Sequence, residues 1–435
     1  MKPISTFALA ASLAAGAGLL AAPAAAQLTR TTNDGKSGKQ EEKAKKQDNK
    51  GISVKLGERT LTIGAQARQP LAELQAAVTA KDAANFPAKL AAAQAAAQTA
   101  DEKYLVARLQ LDYARGASDA AGTNAAMEAM IQSGGAPADE LAALYSSVGE
   151  AAFNAGQFDK AGNAFEQLSK LQPNNAEVVS NLSVVRGRQG RTAEAAQLLA
   201  RATEMKSAGG QAVPEDYYKR IIDQAYKSKD VALANKTLYT WLNAYPTEKN
   251  WSDALQTHRA LVPLDDAAEL DRFRLMRVAG ALKSGDSYTD LAAYLLQKGL
   301  PGEAKAVLED GAGKGVLSRG NAEYSRLLTQ ATQRATADRP TLAASEGKAG
   351  SAANGRIAAN TGDAYMGYGD YAKAVAMYRL ALQKGGVDAA LVNTRLGMAL
   401  AMSGDKAGAK TALAAVTGPR AELARYWLLW LDKRA

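Results

Sequence analysis

The sequence predicts an all-α fold, an α-solenoid of antiparallel helix pairs closed by a C-terminal capping helix. Three observations predict it. One pattern of small residue, turn residue, alanine and bulky residue recurs along the chain. Hydrophobic residues make up 47% of the sequence but are largely alanine, with aromatics at 6%, which suits many thin helix–helix contacts better than one thick core. A chain of 435 residues is also long enough for an extended array.

The pattern is clearest in NTGDAYMGYGDYAKAVAMYRLALQ, residues 360–383, where Gly362, Tyr365, Gly369, Ala374 and Tyr378 mark two short helices broken at Gly369. It recurs at Gly149, Gly156, Ala161 and Phe165, and at Ser183, Gly190, Ala195 and Leu199. It recurs again at Ile222, Lys229, Ala234 and Leu238, at Ala292, Gly299, Ala304 and Leu308, and at Gly397, Gly404, Ala409 and Leu413. The small residue lets the partner helix approach, and the turn glycine takes the left-handed conformation that ends a helix. The alanine and the bulky residue four later share one face of the second helix. Pro173 and Pro246 stop that helix. Ala161 to Ala195 spans 34 residues and Ala374 to Ala409 spans 35, while Ala234 to Ala304 and Ala304 to Ala374 each span 70. Each double interval is expected to hide one degenerate unit, at residues 251–283 and 321–350.

This pattern resembles the tetratricopeptide repeat family, whose period is about 34 residues. The resemblance runs best over 142–205, 355–386 and 390–417, and more loosely over 215–246 and 285–311. It implies a protein-binding scaffold in which first helices line a concave groove for a protein or peptide partner. The residues it would place there are Asn154, Asn181, Arg188, Lys219, Arg220, Tyr226, Asn360 and Arg395. The family's clamp for acidic C-terminal tails needs lysine and asparagine from successive first helices. Only Asn181 and Arg220 fall in matching slots, and Ser146 and Glu150 replace the first pair, so an acidic tail is not the expected ligand.

In chain order, residues 1–26 read as a secretory signal peptide: Lys2, an apolar run from Ile4 to Leu20, and the small residues Ala24, Ala25 and Ala26 before a cut. Export to the periplasm or beyond is the corresponding expectation. The alternative is an uncleaved anchor, which Gly16, Gly18 and Pro23 make poor. Residues 27–50 are polar and charge-mixed, a linker without the apolar content to fold. Residues 51–68 begin with ISVKLGERTLTI, whose alternation reads as a small hairpin or an extended lead-in. Residues 69–140 read as degenerate helical repeats, with Pro87 near a helix start. Repeats follow over 141–246, degenerate ones over 247–354, where residues 339–355 are partly loop, and repeats again over 355–418. Residues 419–435 form the capping helix, with Leu423, Trp427 and Trp430 on one face and Arg420, Glu422 and Arg425 in water. A second reading makes its tryptophans a partner or membrane-surface patch.

Catalytic parts are scarce. There is no cysteine and one histidine, His258, which leaves no usual zinc set and no cysteine–histidine or serine–histidine machinery to spare. His258 reads as a helix-surface or interface residue. GAGKG at 311–315 lacks the strand and the Lys-Ser/Thr of a phosphate loop and reads as a helix end. Asp265 and Asp266 read as helix-start charges. No cofactor and no metal are expected. The formal charge of +9 becomes +8 when the leader removes Lys2. No basic run interleaved with aromatics points to nucleic acid, and a membrane surface is admissible but not required. The favoured reading is a non-enzymatic periplasmic scaffold in envelope assembly or secretion. The alternative is an envelope enzyme or peptidoglycan-associated factor with a helical body, similar to that of soluble lytic transglycosylases.

Overall fold

The computed structural model describes residues 52–56 and 59–433, so the expected leader and polar linker lie outside the described residues. The chain divides into two compact units that meet between Gln224 and Ala225.

The first unit opens on strands β1 (Ile52–Leu56) and β2 (Arg59–Ile63), an antiparallel pair in which Val54 faces Leu61. Helices α1 (Ala65–Ala80), α2 (Phe86–Ala96), α3 (Ala100–Gly116) and α4 (Ala120–Gln132) follow. Alternation puts Val54, Leu61 and Ile63 on the buried side, where they join Leu71 and Leu74 of α1 and Leu105 and Leu109 of α3. Arg59 of the hairpin reaches Asp101 at 2.7 Å. Glu102 ties the hairpin's exit to α3, accepting from the Gly64 amide at 2.8 Å while completing a capping box with Thr99. Helices α5 (Ala138–Asn154), α6 (Phe158–Leu171), α7 (Ala176–Arg188) and α8 (Thr192–Ala208) are the first clear repeats, and α9 (Glu215–Lys227) runs across the division.

The second unit continues with α10 (Val231–Ala244), α11 (Glu248–Leu261), α12 (Asp266–Val278), α13 (Gly285–Gln297) and α14 (Pro301–Gly313). After them come α15 (Ala322–Asp338), α16 (Leu342–Ser351), α17 (Arg356–Gly367), α18 (Tyr371–Lys384), α19 (Ala389–Ser403), α20 (Lys406–Ala414) and α21 (Ala421–Lys433). Each of the two intervals expected to hide a degenerate unit holds two helices, α11 and α12 in the first and α15 and α16 in the second, and the latter two follow one another through a 3-10 turn rather than packing as a pair. The stretch 339–355 holds less loop than its glycines suggest. A single 3-10 turn at Arg339–Thr341 leads into α16, because Leu342 and Ala349 share a buried face there, and irregular chain is confined to 352–355.

The slots of the repeat touch one another as their chemistry requires. A Cβ on Gly149 would stand 3.0 Å from the Phe165 ring, one on Gly362 would stand 2.8 Å from the Tyr378 ring, and one on Gly397 would stand 2.5 Å from Leu413. In these three units the small slot of the first helix is therefore the seat of the bulky slot of the second. Where serine takes the small slot, the Ser183 hydroxyl donates to the Ala195 carbonyl at 2.7 Å. The turn glycines Gly156, Gly190, Gly299, Gly369 and Gly404 all have φ between 74° and 89°. Lys229 adopts the same conformation at φ 59°, so the chain keeps the turn even where its preferred residue is absent. Ala161, Ala195 and Ala374 are fully buried at the helix crossings. Leucine at Ala374 overpacks its crossing and is expected to cost about 1–3 kcal/mol in urea denaturation. An unchanged midpoint would place that crossing elsewhere.

The C-terminal helix stands over the last repeat of the second unit, as expected of a cap, and reaches beyond it. Helix α21 covers α20 and α19, burying Leu423, Trp427 and Trp430, and it also packs on α10 and α12. The unit curls through a closed turn. Arg420, expected in water, is buried instead, because it donates to Asp271 of α12 at 2.9 Å and to Asp265 at 3.2 Å. His258 of α11 sits in the same seam, edge-on to Tyr426. The Arg272 guanidinium lies 3.2 Å from His258 Nδ1 and can only donate, so Nδ1 accepts and the ring proton belongs on Nε2.

Candidate functional site

The closed turn of the second unit is held by a layer of buried charge. Asp271, with no exposed surface, accepts from Arg274 at 2.9 Å, from Arg395 at 3.1 Å and from Arg420 at 2.9 Å. Arg274 also forms a forked pair with Glu303 of α14 at 2.8 and 2.7 Å. Arg395 pairs with Asp363 of α17, which accepts a 2.6 Å bond from the Tyr378 hydroxyl. Residues 124 and 149 positions apart in sequence are joined this way. Burial pushes the Glu303 carboxyl up, but Arg274, with Arg277 and Arg395 behind it, outweighs burial and holds it below its ordinary value. Burial and the neighbouring Asp363 raise Tyr378 well above the ordinary phenol value, so it remains a donor.

A folded-state carboxyl below its ordinary 4.5 stabilises the folded state above that pH, and the contribution is lost as pH falls through the lowered value. The second unit is therefore expected to hold its melting temperature from neutral pH down to about 4.5 and to lose it in more acid solution. A Glu303→Gln chain showing the same acid profile as the parent would contradict this assignment.

Beside the charge layer lies a cavity of about 550 Å³ lined by α12, α13 and the turn after it, the end of α15, and α16, α17 and α19. Its wall carries Leu270, Leu300 and Leu342, and Ile357 stands in it 40% exposed. Asn360 lies one turn from Ile357 on α17. Lys298 is occupied by Asp266 at 2.7 Å, and Arg395 by Asp271 and Asp363. Asp338 is oriented by the Tyr368 hydroxyl, which donates to it at 2.8 Å, and no cation of the described residues lies within ion-pair distance of it. Neighbouring Arg339 is drawn away to Asp370 at 3.5 Å and over the Tyr368 ring. Burial, then Asp338, raises the Tyr368 phenol, which keeps its proton on the oxygen facing the carboxylate. Gly302 makes room for this tyrosine, since a Cβ there would come within 2.4 Å of its ring.

Of the residues singled out in the sequence, the cavity brings together Asn360, which is exposed, and Arg395, which is buried at its floor. Tyr226 belongs to the second unit and is 51% exposed on α9, but does not line this cavity. Asn154, Asn181, Arg188, Lys219 and Arg220 belong to the first unit. There Arg188 lies over the Phe153 ring and Lys219 pairs with Glu215 at 3.0 Å, while Asn154 is exposed and Asn181 and Arg220 are half-buried. Burial raises the Glu150 carboxyl, whose side chain takes a 2.8 Å bond from Ser146. Ile357, Asp338 and Tyr368 were not singled out. Only Tyr368, beside the turn Gly369, stood near a recognised slot. Asp338 lies in a degenerate unit, where a charge reads as solvated surface. Among the described residues no cluster of histidine, cysteine, aspartate or glutamate is arranged to hold a metal, and no helix is long and apolar enough to cross a membrane.

Residues 152–207 match the tetratricopeptide repeat family. Solved structures with helical likeness include the crystal structure of MamA protein, 17% identical over 57% of this chain and 92% of that one, with a TM-score of 0.21. A tetratricopeptide repeat protein from Parabacteroides merdae ATCC 43184 is 11% identical over 67% and 99%, with a TM-score of 0.26. The TPR2AB domain of yeast Sti1, solved in complex with pHSP90, is 15% identical over 68% and 97%, with a TM-score of 0.24. No curated protein matches the sequence.

Proposed function

From the premise that this is a tetratricopeptide repeat protein, we propose a non-enzymatic scaffold that grips an extended segment of a protein partner in the cavity of its second unit. The observation that carries this reading is the cavity wall itself. Helices from successive repeats converge on it, yet Ile357 is left without apolar cover and Asn360 stands exposed beside it. An amide can donate to and accept from a peptide backbone, and an uncovered aliphatic beside it offers a seat for one side chain. The folded pairs Lys298–Asp266 and Arg395–Asp271 shape the wall and spend their charge within it.

The leader-like pattern of residues 1–26 supports a place outside the cytoplasm, with the scaffold serving envelope assembly or secretion. The test compares partners captured from an envelope extract by the tagged chain and by Ala364→Trp, which fills the cavity from α17. The reading expects a discrete set of proteins lost from the filled variant while its melting temperature is kept. Equal capture by both would place the binding surface elsewhere.

A further inference from the structure

We propose that the partner segment gripped by this cavity is cationic, placing a lysine or arginine side chain on Asp338 beside an apolar residue on Ile357. The inference deepens the peptide-capture reading and rests on it.

The charges around the cavity are already matched except at one point. Asp266 is met by Lys298, and Asp363 by Arg395. Asp338 is the remaining carboxylate on the wall, and the neighbour best placed to neutralise it, Arg339, is engaged by Asp370 and by the face of Tyr368. Its orientation is built. The Tyr368 hydroxyl donates its one proton to Asp338 Oδ2 at 2.8 Å, with the Ala335 carbonyl 3.3 Å from the hydroxyl oxygen, and Gly302 is the residue that lets the ring approach. One carboxylate oxygen is thereby committed, and the other is left for a ligand. A carboxylate so placed repels an acidic tail and attracts an ammonium or guanidinium, which forms a charge-assisted bond. The flexible stem of such a side chain can lie along the apolar wall while its head reaches the carboxylate.

The experiment uses the full chain and three capped peptides of alternating leucine and a second residue: lysine, glutamate or norleucine. Binding is read by isothermal titration at low and at moderate salt. The expected result is binding of the lysine peptide, weakened by salt, with the glutamate and norleucine peptides weaker by about tenfold or more. Asp338→Asn should lose a similar factor toward the lysine peptide and gain nothing toward the glutamate one. Tyr368→Phe should weaken the lysine peptide less, with the apolar contribution intact. The peptide exchange is made on the parent chain, so the result does not depend on a variant folding. Equal or tighter binding of the glutamate or norleucine peptide would overturn the cationic assignment and leave peptide capture standing. Failure of all three to bind overturns the assignment too. The capture comparison with Ala364→Trp then decides separately whether the cavity binds protein at all.

Discussion

Asp271→Ala is expected to lower the unfolding free energy of the second unit by about 3–5 kcal/mol, the cost of leaving a buried ion-pair network with one partner removed. Asp271 is fully buried and accepts from three guanidinium groups. Without it, Arg274, Arg395 and Arg420 remain together against Glu303, Asp363 and the exposed edge of Asp265. Arg274 keeps its fork with Glu303, but Arg420 keeps only the 3.2 Å contact with Asp265. The double variant Asp271→Ala/Arg420→Ala should be less destabilised than the sum of its singles, because the second change removes a charge that the first one stranded. Urea denaturation followed by circular dichroism measures both. Simple additivity would mean that the Asp271–Arg420 contact carries no coupling.

Trp427→Ala is expected to cost about 3–5 kcal/mol, the range for deleting a large buried aromatic. Trp427 is 1% exposed, edge-on to Trp430, on the helix that covers α20 and reaches α10 and α12. A patch reserved for a partner or a membrane would leave that ring in water and its removal would change stability little. The thermal melt of the purified variant separates the two, with a fall of several degrees expected for the buried ring.

Both effects come from the part of the molecule least visible in the sequence. The repeats themselves were legible because their chemistry is local. Gly362 and Tyr378 lie sixteen residues apart and touch within one helix pair, so fixed spacing reveals the contact. Positive φ at Gly156, Gly369 and Gly404 was readable for the same reason. Lys229 shows the limit, since the turn persists there without its glycine, and only its register among the other units identifies it. The closure of the second unit was not legible. Asp271 and Arg274 sit three residues apart on one helix and read as an ordinary surface pair. Their partners Arg395 and Arg420 stand more than a hundred residues away, and no periodicity links such positions. Arg420 likewise read as wet because a helix-start arginine usually is.

The candidate site shows the same division. Asn360 was found because a first-helix residue in a clear repeat points to a predictable face. Arg395 was found by the same rule, and the structure gives it a second duty as the floor of the cavity and a strut of the closed turn. Asp338 and Ile357 come together only because α15 and α17 border one cavity, and no motif relates the two positions. Tyr368 follows from Gly302 more than sixty residues earlier, a pairing that only the fold supplies.

The most direct test of the account is a photoreactive side chain placed at Ile357, irradiated in cells and read by immunoblot, against the same side chain at exposed Leu171 of the first unit. The account predicts a discrete cross-linked protein from position 357 that disappears when Ala364→Trp fills the cavity. Adducts from position 357 that persist in the filled variant, or an identical set from both positions, would contradict it.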